Sequence, residues 1–565
     1  MLRSRLLTTL SLATLLCTTS LHAQQTATPN HQLEVAKRLE IFNELYRELE
    51  LFYVDSLDAK ATTGKAIDYM LQTLDPYTEF YTEDEQDDLQ RLSTGKYAGI
   101  GAVIRFHKGA QRIVVAEPIE GTPAAQADLR AGDIILRVDS VHFAPHTDTK
   151  NFTTYSNHVR SHLLGEAGSS LEIEVQRPGQ DKPHIVHLTR QNIKKPTIAC
   201  TKLMANGIGY LMLADYTENV ATDVRKAIVK LKEEGATHLV IDLRGNGGGL
   251  LSEAVKIVNL FVPRGKEVVR IDGKVAELKR TYTTTDEPLD LNIPIAVLVD
   301  GYTASAAEIT SGALQDYDRG VVVGTRTFGK GLVQQLRELP YGTAVKLTTS
   351  KYYIPSGRCI QKYDYKQHNG EGKAIADSTS RLFYTAAGRP VRDAGGILPD
   401  IMAQSDTSTT LLGELATSDV LFDFVNSYRQ QHASIAPAGE FCITPEDFEH
   451  FKQAVVAANF TYDQRSRSLL EALRKMMAFE GYAAEAKGEL DALEQKLKHN
   501  VTRDLDRQRE GVTRLLNSEI CRAYYYERGA LENMLTWDKV LERATSILTT
   551  PEAYKEVLAA PMAKP

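Results

Sequence analysis

Histidine is scarce where metal or acid–base chemistry would need it. Between Lys194 and Asp400 only His238 and His368 occur. His238 precedes a short apolar strand, the usual place of a packing histidine, so a Ser-His-Asp triad built on it has little support. There is no HExxH, no Cys-His cluster and no pair of carboxylates at a telling spacing, so no metal and no cofactor is expected. Cysteine is sparse too, with five in 565 residues. Cys200, Cys359, Cys442 and Cys521 lie too far apart to be paired from sequence and read as free thiols. Beyond the N-terminus no apolar run approaches the roughly 20 residues of a membrane span. Positive charge is not in excess either. Lys plus Arg number 66 against 73 Asp plus Glu, a net charge of -7, which argues against bulk binding to nucleic acid. Internal repeats and low-complexity tracts are also missing.

What is present is a chain long enough for several domains, 42% hydrophobic and 25% charged, as expected of a soluble multidomain protein. Residues 1–23 have the layout of an export signal. Arg3 and Arg5 are followed by an apolar stretch over 6–17 and by Leu21-His22-Ala23 as a cleavage site. The mature chain is therefore expected outside the cytoplasm.

Residues 24–94 read as a helical region. Leu39, Phe42, Leu45, Leu49 and Phe52 recur at helical spacing, Thr62-Thr63-Gly64 interrupts them, and the Pro-bearing LDPYTEFY of residues 74–81 ends the segment. Residues 95–193 change to short β-like runs punctuated by Gly and Pro, closed by a hairpin around Arg177-Pro178-Gly179. Lys194-Lys195-Pro196 marks the next boundary. From there to 405, strands at 207–213, 239–241, 295–299 and 320–324 alternate with a helical stretch at 220–232, an α/β core. Residues 406–565 are mainly helical and polar. The fold class expected is α/β and α+β in several domains.

Two small-residue loops carry the chemistry. In Asp300-Gly301-Tyr302-Thr303-Ala304-Ser305-Ala306-Ala307-Glu308, small neighbours allow close approach to Ser305. A serine at a loop-to-helix junction also puts backbone N–H groups beside its oxygen; the plainer reading of the same string is a helix N-cap. In Phe328-Gly329-Lys330-Gly331-Leu332, burial would make the Lys330 ammonium costly and turn the amine into a base. The plainer reading there is an exposed loop lysine. Gln334, four residues on, is placed to orient the amine. A third loop, Asp242-Leu243-Arg244-Gly245-Asn246-Gly247-Gly248-Gly249, follows a buried strand. It lacks the Gly-Lys-Ser/Thr ending of a P-loop, and a donor to an oxyanion is the better reading.

Together these residues resemble the carboxyl-terminal processing peptidases, the tail-specific proteases of serine peptidase family S41. The likeness runs over about residues 33–403. It includes LDPYTEFY, Tyr97-Ala98-Gly99-Ile100-Gly101-Ala102, GTPAAQADLRAGDIILRVD from Gly121, DLRGNGGGLL from Asp242, both catalytic-type loops and GGILPDI from Gly395. The resemblance implies a ClpP/crotonase-like α/β protease core over 194–405, an inserted PDZ domain over 95–193 and flanking helical regions. It implies Ser305 as nucleophile, Lys330 as base and Gln334 as the orienting residue. The oxyanion donors implied are Ala306 and a glycine of the Gly-rich loop, Gly248 ahead of Gly247 or Gly249. It implies a tail carboxylate held by Gly99, Ile100, Gly101 and Ala102, with Ile100 and Val103 lining an apolar pocket. Separately, Arg130, just before Gly132 and Asp133, is a candidate relay, through hydrogen bonds, between peptide binding and the catalytic loops. Cys359 departs from the pattern, standing where serine or threonine is expected. The activity implied is exported, periplasmic endoproteolysis near C-termini, with membrane association left open. The partners implied are proteins or peptides with exposed C-termini, and an envelope adaptor protein and a homo-oligomer also remain open. The alternative is a PDZ scaffold that grips tails without cutting them.

Overall fold

The computed structural model describes residues 29–85, 96–194, 196–366, 369–405, 409–462, 465–497 and 500–559. The expected export signal and His368 lie outside these residues. The chain divides into a small unit up to Gln72 and a large unit from Thr73 onward.

The small unit contains helices α1 (Pro29–Phe52) and α2 (Ala59–Gln72). The break expected at Thr62-Thr63-Gly64 falls instead at residues 53–58, and those three residues lie inside α2. Local hydrogen bonding explains the difference. Asp58 Oδ1 accepts the Ala61 N–H at 3.0 Å and caps the helix. The Thr63 hydroxyl bonds back to the Ala59 carbonyl at 2.6 Å, so it does not compete with helical pairing. Helix α2 ends at Gln72, and residues 86–94 of the expected helical region lie outside the described residues. Residues from Thr73 belong to the large unit, where β1 (Glu79–Tyr81) pairs with a strand more than 260 residues away.

Seven strands organise residues 96–194: β2 (Lys96–Gly99), β3 (Ala102–His107), β4 (Arg112–Pro118), β5 (Ile134–Val138), β6 (Ser170–Gln176), β7 (His184–Thr189) and β8 (Gln191–Lys194). β2 pairs with β8 and brings the two ends of the segment together. The others form an antiparallel sheet in the order β3-β4-β5-β6-β7, with Val141–His142 beside β5. The sequence pattern missed helix α3 (Thr153–Leu163), which turns Val159 and Leu163 into a core with Phe106, Val115, Ile135 and Ile173. On β3, Ile104 and Phe106 face this core. Val103, expected in the pocket with Ile100, is 49% exposed, because alternate strand residues point to opposite faces.

The central sheet has the order β9-β10-β11-β14-β15-β18, with β9 (Ile198–Met204), β10 (Ile208–Leu213), β11 (His238–Asp242), β14 (Ile295–Val299), β15 (Val321–Gly324) and β18 (Ile401–Met402). β9 and β10 are antiparallel, and every later neighbour is parallel. Helices α4 (Val220–Glu233), α5 (Leu251–Asn259) and α6 (Ala306–Asp316) cover one face. A parallel sheet needs cover on both faces, which is why β14 reads Ile-Ala-Val-Leu-Val with no polar residue and is fully buried. A second sheet, β1-β17-β12-β13 with β16 also on β17, flanks the first. It contains β12 (Glu267–Gly273), β13 (Arg280–Thr283), β16 (Leu332–Glu338) and β17 (Ala344–Tyr353).

The C-terminal region is helical: α7 (Thr410–Thr417), α8 (Asp419–Gln431), α9 (Pro445–Ala457), α10 (Arg465–Glu480), α11 (Lys487–Leu497), α12 (Val501–Arg507), α13 (Arg509–Met534), α14 (Lys539–Leu548) and α15 (Pro551–Leu558). Phe448, Phe451, Leu516 and Ile520 share a core of their own. Helix α14 covers the other face of the central sheet, packing Val540, Leu541, Ala544 and Leu548 with Tyr210, Val240, Ala296 and Val323. Each large side chain buried there stabilises the fold by roughly 1.5–3 kcal/mol. The region also grips β3, where Asp419 Oδ1 accepts from Arg105 Nη2 at 2.7 Å and Asp419 Oδ2 from the Lys108 N–H at 2.8 Å. Cys200 and Cys521 are buried free thiols, Cys359 is half-buried and Cys442 exposed.

Candidate active site

Strands β11, β14 and β15 end side by side, so the loops that follow them meet at the carboxyl edge of the parallel sheet, where open α/β sheets place their ligands. These are the three loops singled out in the sequence: the Gly-rich loop after Asp242, the Ser305 loop after Val299 and the Lys330 loop after Gly324.

Ser305 is the N-cap of α6 and has φ 56° and ψ −116°. A left-handed φ on a non-glycine residue is strained and persists only where its surroundings enforce it. Here they do. Asp300 Oδ1 accepts the N–H groups of Tyr302 and Thr303 at 2.9 and 3.0 Å. The Thr303 hydroxyl donates to the Leu243 carbonyl at 2.8 Å, and the Ala304 N–H to the Asn246 carbonyl at 2.9 Å. The serine is thereby lifted onto the first turn of the helix, whose Ala306 N–H has no acceptor among the described residues.

Glu308 ties this loop to the lysine. Its carboxylate is fully buried. Oε2 accepts the N–H groups of both Ser305 and Lys330, each at 2.9 Å. Oε1 accepts the Thr327 hydroxyl at 2.5 Å and the Gly329 N–H at 2.8 Å. Burial pushes the Glu308 carboxyl up to about 7, against the pull of these donors. Sequence reasoning missed this role. Its signal was the Ser-x-x-Glu spacing of a capping box, which says nothing of the far loop.

Lys330 lies in a largely buried setting that lowers its pKa, burial being the main cause and the nearby Lys346 ammonium the next. Its Nζ stands 4.5 Å from the centre of the Tyr77 ring and makes no hydrogen bond to Ser305 Oγ. Gly329, with φ 87°, is needed beside it, since a Cβ there would come within 2.5 Å of Lys362 Cβ. The LDPYTEFY segment thus forms part of the wall around the amine. Asp75 Oδ1 accepts the N–H groups of Tyr77 and Thr78 at 2.8 and 2.9 Å and fixes that turn. The structure does not bring Gln334 onto the amine. Its Nε2 donates to Thr348 Oγ1 at 3.1 Å, and Thr348 Oγ1 donates to Asp75 Oδ1 at 3.1 Å.

Gly248 packs directly on the serine. With φ 95°, a Cβ on it would lie 2.8 Å from both Ser305 Cβ and the Ala306 nitrogen. Its own N–H is engaged by Asn246 Oδ1 at 2.8 Å, whereas the Gly247 N–H has no acceptor among the described residues. His238 lies at the opposite, amino end of β11, which removes it from the site.

In the smaller domain, the carbonyls of Ile100 and Gly101 point inward. Ala124 donates to the first at 2.9 Å; Ile119 N–H and the Thr122 hydroxyl donate to the second, each at 2.9 Å. The N–H groups of Ile100 and Gly101 have no acceptor among the described residues. Gly99 and Ala102 flank this turn at the ends of β2 and β3, and Ile100 is buried. The hydrogen bonds of Arg130 stay within its own domain, its guanidinium on Asp128 at 2.8 and 2.9 Å and its N–H on Asp133 at 2.9 Å.

Three family models match the chain: peptidase family S41 over residues 207–369, a PDZ domain over 114–177, and the C-terminal helical domain of probable PDZ-proteases over 411–548. The chain is 33% identical over 352 residues to a carboxy-terminal-processing protease of Bartonella bacilliformis, covering 60% of this chain and 76% of that one. It is 32% identical over 356 residues to the chloroplastic C-terminal processing peptidase of Tetradesmus obliquus, covering 57% and 75%. Among solved structures, a photosystem II D1 C-terminal processing protease is 29% identical over 64% of this chain and 86% of its own, with a TM-score of 0.35. The class is that of a serine-type endopeptidase carrying a PDZ domain. The chain belongs to the carboxyl-terminal processing proteases of peptidase family S41.

Proposed function

We propose that Ser305 and Lys330 are the catalytic pair of an exported endopeptidase that cuts polypeptides near their C-termini. The observation that carries this reading is Glu308 Oε2, one buried oxygen from which the backbones of both residues hang. Lys330 Nζ leaves the Tyr77 face, takes the proton of Ser305 Oγ and frees the oxygen to attack a peptide carbonyl. The oxyanion that forms faces the free N–H of Ala306 and the Gly247–Gly248 edge of the Gly-rich loop. The ammonium returns its proton to the leaving amine, and water then hydrolyses the acyl-serine by the reverse sequence. The amine stands over the Tyr77 ring and not on the serine, a geometry compatible with catalysis, since such contacts tighten in the substrate complex. Gln334 reaches the amine in this reading only after releasing Thr348.

Tail selection falls to the N–H groups of Ile100 and Gly101, which offer a terminal carboxylate two donors beside the open edge of β3. Export to the periplasm rests on the layout of residues 1–23. The test is cleavage of a peptide with an apolar C-terminus, read by mass spectrometry. Ser305→Ala and Lys330→Ala are each expected to reduce turnover at least a thousandfold with the fold intact, and amidating the peptide's C-terminus is expected to raise KM. Full turnover by either variant removes the pair, and equal KM for both peptides removes the carboxylate site. Binding without any cleavage by the wild-type chain would favour a scaffold.

A further inference from the structure

The C-terminal helical region meets the catalytic edge around Asp538. This aspartate caps α14, Oδ1 accepting the N–H groups of Val540 and Leu541, each at 3.0 Å. It also faces Arg244, the residue with which the Gly-rich loop begins. Arg244 Nη1 donates to Asp538 Oδ1 at 3.1 Å and Nη2 to Oδ2 at 2.5 Å, a two-pronged pair. On its other side Arg244 Nε donates to Asp242 Oδ1 at 2.9 Å, and Asp242 Oδ2 also takes the Tyr210 hydroxyl at 2.7 Å. Burial disfavours the guanidinium charge, but Asp242 and Asp538 outweigh it and hold its pKa above the ordinary value.

The geometry points to Asp538 as a positioning residue for the peptidase reaction, acting through Arg244 on the oxyanion loop. This rests on the Ser305–Lys330 reading above. From Arg244 the chain runs through Gly245, whose N–H donates to Asp300 Oδ1 at 3.1 Å, to Gly248 against Ser305. The start of that run is therefore fixed by a helix whose own place is set by burial on the central sheet. Asp242 takes the same guanidinium on Nε and Nη2, and Asp538 adds the second carboxylate, on Nη1 and Nη2. Both pairs border a cavity of about 410 Å³ that Tyr210, Asp300 and Trp537 also line. Asp538 is separated from Arg244 by 294 residues, so the helical region does more than cover the sheet.

Two roles of one carboxylate can be separated by substitution. Asn caps a helix about as well as Asp but brings an NH2 group against Arg244. Glu caps poorly but still offers Arg244 a carboxylate. The expected result for Asp538→Asn is a melting temperature close to wild type, kcat down about tenfold, a modest fraction of the loss of an oxyanion donor, and KM unchanged. Asp538→Glu should melt lower yet turn over faster than Asp538→Asn. In the double variant with Arg244→Lys, Asp538→Asn should cost no further kcat, because its route is already cut. Hydrogen exchange gives a readout independent of turnover: in Asp538→Asn the amides of 244–249 should exchange faster while those of α14 keep their protection. Wild-type kcat and loop exchange in Asp538→Asn would overturn the inference, as would a kcat that follows melting temperature across both variants. A wild-type chain without peptidase activity would instead sink the Ser305–Lys330 reading, and the exchange comparison would still decide the role of Asp538.

Discussion

At the residue scale, Glu308 ties the Ser305 loop to the Lys330 loop. Its two oxygens accept four donors in a fully buried place. Gln is its closest substitute and turns one of those oxygens into a donor. Whichever way the amide sits, two donors lose their acceptor, at about 1–3 kcal/mol each. Glu308→Gln is therefore expected to lower kcat/KM on the order of a hundredfold, as displacement of a reacting pair does, and to lower the melting temperature. Peptide cleavage and a thermal melt check both. The pH sign is also fixed. The Glu308 carboxyl, pushed up to about 7 by burial, favours folding fully below its unfolded value of about 4.3. That contribution fades as pH rises through 7. The Gln variant should lack this fall.

Elements show how far a sequence can be read. Strand β14 was legible because its five apolar residues, three of them β-branched, are too few for a helix and suit a strand buried on both faces. The Ser305 and Lys330 loops were legible because Gly and small residues crowd around a single reactive group. Helix α3 was not, since Thr153–Leu163 has three histidine or arginine residues and little apolar periodicity. β1 was not legible either. Its three residues become a strand only because β17 lies alongside, and pairing at that separation leaves no local mark. The same holds for the contact between β3 and α8. His107 Nε2 lies 3.0 Å from Asp423 Oδ1 and Nδ1 lies 3.6 Å from Asp419 Oδ2. The hydrogen bond to Asp423, aided by both carboxylates, raises the imidazole pKa against burial and the Arg105 charge. A raised histidine contributes fully below its unfolded value of about 6.5 and loses that contribution as pH climbs through the folded value. Wild type should exceed His107→Asn in stability at pH 5 by about 1 kcal/mol, since Asp423 is largely exposed and screened. The gap should close on the alkaline side; a gap that does not change with pH would refute the ion pair.

At the scale of the whole molecule, the large unit contains four hydrophobic cores, one of them shared by the central sheet and α14. The helical region covers the second face of the central sheet with α14, meets the Gly-rich loop with Asp538 and holds β3 with Asp419. The peptidase and PDZ parts are thus each touched by one helical body. Everything chemical still depends on whether a lysine beside the Tyr77 ring can act as a base. The ring face favours the ammonium, while burial and Lys346 oppose it and lower the pKa. The decisive measurement is the titration of the Lys330 amine by NMR in lysine-labelled Ser305→Ala protein holding an uncleaved tail peptide, with Lys330→Arg used to assign the signal. A midpoint clearly below the ordinary lysine value of about 10.4 is predicted, and a midpoint at or above that value would contradict the Ser305–Lys330 pair.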